Sequence, residues 1–138
     1  MTRHSILDQV AEAKAQIAEL SVAELQAELA AGTATVIDIR DIRERIELGA
    51  IAGSVSAPRG MLEFWFDPDS PYHRDTYTFD QRYVFYCAGG LRSALATKAI
   101  QDLGFGDVAH LESGFAGWQE AGADIDDVAA TSKWVKRP

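Results

Sequence analysis

The hydrophobic pattern of this 138-residue chain changes period several times, and each change predicts an element. Over residues 5–20, apolar side chains fall at Ile6, Leu7, Val10, Ala13, Ile17 and Leu20, close to helical spacing. Ser21 and Glu24 make an S-x-x-E capping box ahead of Val22, Leu25 and Leu29, which predicts a second helix from Val22 to Ala30, stopped by Gly32. These read as packing helices, with an interaction or dimer helix as the other option. The rhythm then becomes nearly continuous. Thr35–Ile39 is apolar at both parities and predicts a central parallel strand covered on both faces. A short charged helix, Arg43 to Leu48, follows, with Arg43 and Glu47 spaced as a helical pair. Ala50 to Ala57, carrying Ile51 and Val55 between Gly49, Gly53 and Pro58, reads as a short strand.

Residues 60–80 break the alternation with Phe64, Trp65, Phe66, Tyr72, Tyr77 and Phe79 set among aspartates and prolines. A helix from Met61 to Phe66 and then a loop are expected, the rings covering the core, walling a pocket or meeting a partner. Tyr83 to Tyr86 reads as a buried strand, and Ser93 opens a helix over Ala94 to Leu103. A turn at Leu103–Gly106, a strand at Val108–Leu111 and a short helix begun by Gly114–Trp118 and ending near Gly122 complete the pattern. From Ala123 to Pro138 the chain reads as a polar tail, with Trp134 a candidate for docking. Strands alternating with helices at this spacing predict an α/β layer fold around a parallel sheet.

Composition narrows the function. A net charge of −8 and a pI near 4.7 argue against nucleic acid or an anionic membrane as partner. No apolar run is long enough to span a bilayer and no signal-peptide pattern is present, so a cytoplasmic protein is expected. The single cysteine excludes an internal disulfide and leaves no resolving thiol. The histidines show no paired ligand spacing, so neither a metal nor another cofactor is expected, and His110 reads as a structural residue.

That cysteine, Cys87, sits between the Tyr83–Tyr86 strand and the following helix, in a loop with Gly89 and Gly90. A strand, a glycine turn and a helix start converge backbone N–H groups and a positive dipole end on one point, which favours thiolate. The loop Ala88, Gly89, Gly90, Leu91, Arg92 and Ser93 is therefore the candidate site, with Arg92 expected to lower the thiol pKa and hold an anionic donor. Between Gln81 and Gln101 there is no acid, while Arg82, Arg92 and Lys98 are present. Asp38 and Arg40, at the end of the first strand, are secondary candidates; their structural reading pairs Arg40 with Asp41 or Glu44 and Asp38 with loop backbone. Arg59, past Pro58, is a further candidate cation, with solvated surface the competing reading.

Three stretches together resemble single-domain rhodaneses: DIRDIRERIELGAIAGSVSAP from Asp38 to Pro58, the loop YCAGGLRS, and GFAGW at residues 114–118. The resemblance covers about Ser21 to Gly122, and it departs from the family where Ala50 stands in place of a frequent histidine. It implies a three-layer fold with a central parallel sheet of about five strands flanked by helices. It also divides the chain into an N-terminal helical extension (1–20), a rhodanese-like domain (21–122) and a C-terminal tail (123–138). The implied activity is sulfur transfer: Cys87 would take sulfane sulfur from thiosulfate or another persulfide, which could be protein-borne, and pass it to cyanide or a thiol. A non-catalytic binding module on the same fold is the alternative. A cysteine phosphatase or arsenate reductase uses a C-x5-R cradle, one residue longer than the spacing from Cys87 to Arg92.

Overall fold

Two serines set the register of the N-terminal third. In the computed structural model, which describes residues 3–131, Ser5 and Ser21 each close a full capping box, with Asp8 and Glu24 respectively. Each box satisfies two helix-start N–H groups that would otherwise be orphaned. Ser5 starts α1 (Ile6–Lys14) and Ser21 starts α2 (Val22–Ala31), which Gly32 ends in the left-handed conformation at φ 69°. Between them lies β1 (Ala18–Leu20), so residues 18–20 are strand where helical periodicity predicts helix.

β2 (Thr35–Asp38) leads into α3 (Ile42–Leu48), capped by the Asp41 side chain. Ala50–Ala57 is not one strand. It splits into β3 (Ala50–Ile51) and β4 (Val55–Ser56) around a turn with Gly53 at φ 78°. A turn of 3-10 helix (Arg59–Met61) runs into α4 (Leu62–Phe66). Then come β5 (Tyr83–Tyr86), α5 (Leu91–Asp102), β6 (Val108–Leu111) and α6 (Gly114–Glu120). The expected tail carries two further elements, β7 (Ile125–Asp126) and α7 (Val128–Thr131). Residues 132–138, including Trp134, lie outside the described residues.

Five strands form one parallel sheet in the order β1-β6-β5-β2-β4, and β3 pairs antiparallel with β7 in a separate ribbon. Side chains alternate across the sheet. One face gathers Ile37, Phe85 and Cys87 under Ala96 and Ile100 of α5 and Leu62 and Phe66 of α4. The other gathers Val36, Val84, Tyr86 and Leu111 under Leu25 of α2 and Phe115 and Trp118 of α6. α1 packs on α5 through Val10, Ala13 and Ala94. Burial on both faces explains why β2, β5 and β6 read as continuous apolar runs.

The aromatic segment divides. Phe66 and Tyr77 are buried and stacked, ring centroids 4.1 Å apart, whereas Phe64, Tyr72 and Phe79 are exposed. Among the described residues no helix is long and apolar enough to cross a membrane.

Candidate active site

Cys87 follows the last residue of β5 at the carboxyl edge of the sheet. The next helix begins two residues before Ser93, so Leu91, Arg92 and Ser93 form the first turn of α5 and Gly90 is its N-cap. This turn has unpaired N–H groups to offer. Gly90 N–H lies 3.2 Å and Ser93 N–H 3.4 Å from Cys87 Sγ, and the thiol is 3.5 Å from Ser93 Oγ. Burial alone would push the thiol up. The Ser93 hydroxyl and the N–H groups of Ser93, Gly90 and Gly89 outweigh it and bring the thiol below its ordinary value. Cys87 is itself buried at 1% exposure, while Gly89, Leu91 and Arg92 form the exposed rim of the loop.

Glycine is required at two points of this mount. Gly90 has φ 93°, and a Cβ there would stand 2.1 Å from the Glu112 carbonyl oxygen. Gly114 has φ 64°, and its Cβ would meet the Ala88 carbonyl oxygen at 2.5 Å. Gly89, by contrast, has open space around its Cβ position. The start of α6 closes on the loop: Phe115 N–H donates to the Cys87 carbonyl at 2.8 Å and Ala116 N–H to that of Ala88 at 3.0 Å.

Arg92 turns outward. Its guanidinium forms a bidentate pair with Glu44 at 2.9 and 3.1 Å, which raises the arginine and lowers the carboxyl. The other two cations of the acid-free segment are also paired by carboxylates from elsewhere, Arg82 with Glu28 and Asp107, and Lys98 with Asp102. Arg59 is paired with Glu63 on the next turn. Arg40 pairs with Asp38 rather than with Asp41 or Glu44, and Asp38 also accepts the Arg40 backbone N–H in the loop after β2 at 3.0 Å, the loop-backbone bond expected of it. Both are fully buried, Arg40 Nε donating to Asp38 Oδ1 at 3.0 Å and Nη2 to Oδ2 at 2.9 Å. Arg45 and the Tyr86 hydroxyl complete the cluster on the same carboxylate. Arg43 bonds Asp41 rather than Glu47.

Two side chains that the spacing of the sequence did not bring to Cys87 stand behind it. His110 is fully buried, with Nδ1 2.8 Å from Ser93 Oγ and Nε2 2.8 Å from Glu19 Oε2. The register explains this: Glu19, His110 and Phe85 are aligned across β1, β6 and β5, and Cys87 is two residues beyond Phe85 on the same face. Among the described residues no group of three or more His, Cys, Asp or Glu could hold a metal. A surface cleft of about 460 Å³ lined by Gln26, Leu29, Ala30, Ala52, Trp118 and Asp124 contains no thiol or hydroxyl side chain and no residue of the Cys87 loop.

The parallel α/β sheet thus presents the single thiol to helix-start amides at its carboxyl edge. The family described as rhodanese-like domain matches residues 21–121, and the chain belongs to that family. It is 31% identical to "Putative sulfurtransferase YtwF" of Bacillus subtilis (strain 168), over 75% of this chain and 92% of that one. Among solved structures it is similar to a Rhodopseudomonas palustris protein of unknown function described as a possible tyrosine phosphatase. That match has a TM-score of 0.86 and 46% identity, over 91% of this chain and 97% of the other. It also resembles the human single-domain sulfurtransferase TSTD1, with a TM-score of 0.64 and 27% identity over 74% and 95% of the two chains.

Proposed function

We propose that the protein is a sulfurtransferase carrying sulfane sulfur as a persulfide on Cys87. The observation that carries this reading is the cradle: Gly90 and Ser93 N–H groups and the Ser93 hydroxyl aimed at one sulfur whose thiol they bring below its ordinary value. The thiolate attacks the sulfane sulfur of thiosulfate or a persulfide. An S–S bond forms on Cys87, the donor S–S bond breaks, and sulfite or a thiolate leaves with the electron pair. Cyanide or a thiol then attacks the outer sulfur and returns the pair to Cys87. The amides stabilise thiolate and persulfide anion alike, so the site stays complementary through both half-reactions. No cofactor enters either step.

With Arg92 engaged by Glu44, the cradle offers amide dipoles rather than a free cation, which favours a persulfide donor, small or protein-borne, over doubly charged thiosulfate. The sulfurtransferase names of the Bacillus and human relatives agree with this chemistry. Phosphatase chemistry, suggested for the Rhodopseudomonas relative, calls for an arginine turned into a larger cradle to hold a tetrahedral dianion. Here Arg92 is turned out, at the shorter C-x4-R spacing. The free thiol and acidic surface suit a reducing, cytoplasmic setting.

Intact mass spectrometry before and after incubation with thiosulfate or a small persulfide tests the reading. The expected result is a gain of one sulfur atom, removed by cyanide and absent in Cys87→Ser. No gain from protein whose thiol still alkylates would overturn it in favour of a binding module, and phosphate release from an aryl phosphate would favour the phosphatase.

A further inference from the structure

An unbroken line of polar contacts runs from the Cys87 sulfur to the protein surface. Sγ is 3.5 Å from Ser93 Oγ, Ser93 Oγ 2.8 Å from His110 Nδ1, and His110 Nε2 2.8 Å from Glu19 Oε2. Ser93 and His110 are fully buried, whereas the Glu19 side chain is 26% exposed and lies 3.4 Å from Lys14 Nζ. We propose that this line is a proton relay: Ser93 and His110 receive the thiol proton of Cys87, and Glu19 holds the imidazolium that results. Ser93 then touches the reacting sulfur, and His110 and Glu19 are positioning residues acting through it. The inference rests on Cys87 being the nucleophile of the proposed transfer.

The step balances without a co-reactant. The S–H bond of Cys87 breaks and leaves its electron pair on sulfur, the proton joins Ser93 Oγ, and the proton already on Ser93 moves to His110 Nδ1. His110 keeps its Nε2–H, donated to Glu19, and this bond selects the tautomer whose Nδ1 can accept. The resting imidazole is in the accepting form, because burial, opposed by Glu19, leaves it below its ordinary value. The charged groups facing it are Glu19 from β1, Lys14 from α1 and Glu112 from the turn after its own strand; Cys87 reaches it through Ser93 of α5. Glu19 and Lys14 both precede residue 21, where the family match begins. The outer end of the relay is therefore supplied by the N-terminal segment.

The sign of one substitution separates a relay from simple electrostatics. Through space, removing the negative charge of Glu19 would favour a nearby thiolate and shift the alkylation profile of Cys87 to lower pH. Loss of the relay does the reverse, because the imidazolium loses its partner. The test is the rate of iodoacetamide alkylation against pH for the full chain, Glu19→Gln, Ser93→Ala and the double variant. Glu19→Gln is expected to shift the profile to higher pH and slow alkylation about tenfold on its acid side. In the Ser93→Ala background the same change is expected to produce no upward shift, since the line is already cut. A profile unmoved or lowered by Glu19→Gln, or raised as much without Ser93, overturns the relay. His110→Asn should match the direction of Glu19→Gln; if that buried variant does not fold, the partly exposed Glu19 still decides. No sulfur donor enters this measurement, so the relay can fail while sulfur loading succeeds, or the reverse.

Discussion

Gly89 and Gly90 look interchangeable in the sequence, yet only one of them is forced. At Gly90 the backbone is left-handed at φ 93°, and the Glu112 carbonyl oxygen occupies the space a Cβ would need. That oxygen arrives from beyond β6, so nothing local in the loop announces it. For an L-residue the left-handed conformation alone costs about 1–2 kcal/mol, and backbone in the Cβ position cannot step aside as a flexible side chain could. Gly90→Ala is therefore expected to lower stability by at least about 2 kcal/mol and to raise the alkylation pH of Cys87, because the Gly90 N–H moves off the sulfur. Gly89→Ala should change the unfolding free energy by no more than about 0.5 kcal/mol, as at other sites free of special contacts. Paired urea titrations and alkylation profiles check both; equal losses at the two positions would mean that the loop, not the Glu112 carbonyl, makes the demand.

At the scale of elements, the Asp38 carboxylate ties β2 to α3 and β5. It accepts from Arg40 backbone N–H and Nε on one oxygen, and from Arg40 Nη2, Arg45 Nη1 and the Tyr86 hydroxyl on the other. Two guanidiniums on one carboxylate leave an excess positive charge, which the Gly49 and Ser54 carbonyls and the ring of Phe115, 4.4 Å from Arg40 Cζ, help to accommodate. Asp38→Ala would strand both cations, and removal of one partner from a buried pair typically costs about 3–5 kcal/mol. Chemical denaturation should show a loss of that order, whereas a loss under about 1 kcal/mol would mean that the cations find other acceptors. Sequence spacing marks Asp38 and Arg40 as special because charges rarely end a buried strand. It misses their mutual pairing, which is a matter of side-chain direction at the strand end, and the arrival of Arg45, which depends on how α3 folds back over it. The same limit affects the acid-free segment 81–101, whose three cations are each paired by carboxylates from elsewhere in the sequence or the next helical turn.

Across the whole molecule, the buried runs of β2, β5 and β6 and the glycine loop after Cys87 were legible because sheet burial and helix initiation leave strong local patterns. β1 was not, because a three-residue strand with one buried side chain is indistinguishable from the end of an amphipathic helix. That strand carries Glu19, so the full surroundings of His110 emerge only from the assembled sheet. Assembly also couples the site to global stability. His110 lies below its ordinary value of 6.5 in the folded chain, so just below pH 6.5 the unfolded chain holds a proton that the folded chain lacks. Stability then rises with pH across that window and is lost as pH falls through the folded value. Cys87 acts with the same sign at higher pH: between its lowered value and 9.0 the folded chain has released a proton that the unfolded chain retains. Its contribution is complete above 9.0 and disappears as pH falls through the folded value. Urea unfolding at a series of pH values should therefore show a wild-type advantage over His110→Gln that shrinks as pH falls below 6.5. The advantage over Cys87→Ser should instead grow as pH rises toward 9.0. A difference from Cys87→Ser that stays flat over the alkaline range would mean that the cradle does not favour thiolate in the folded chain, removing the main physical support for the persulfide chemistry.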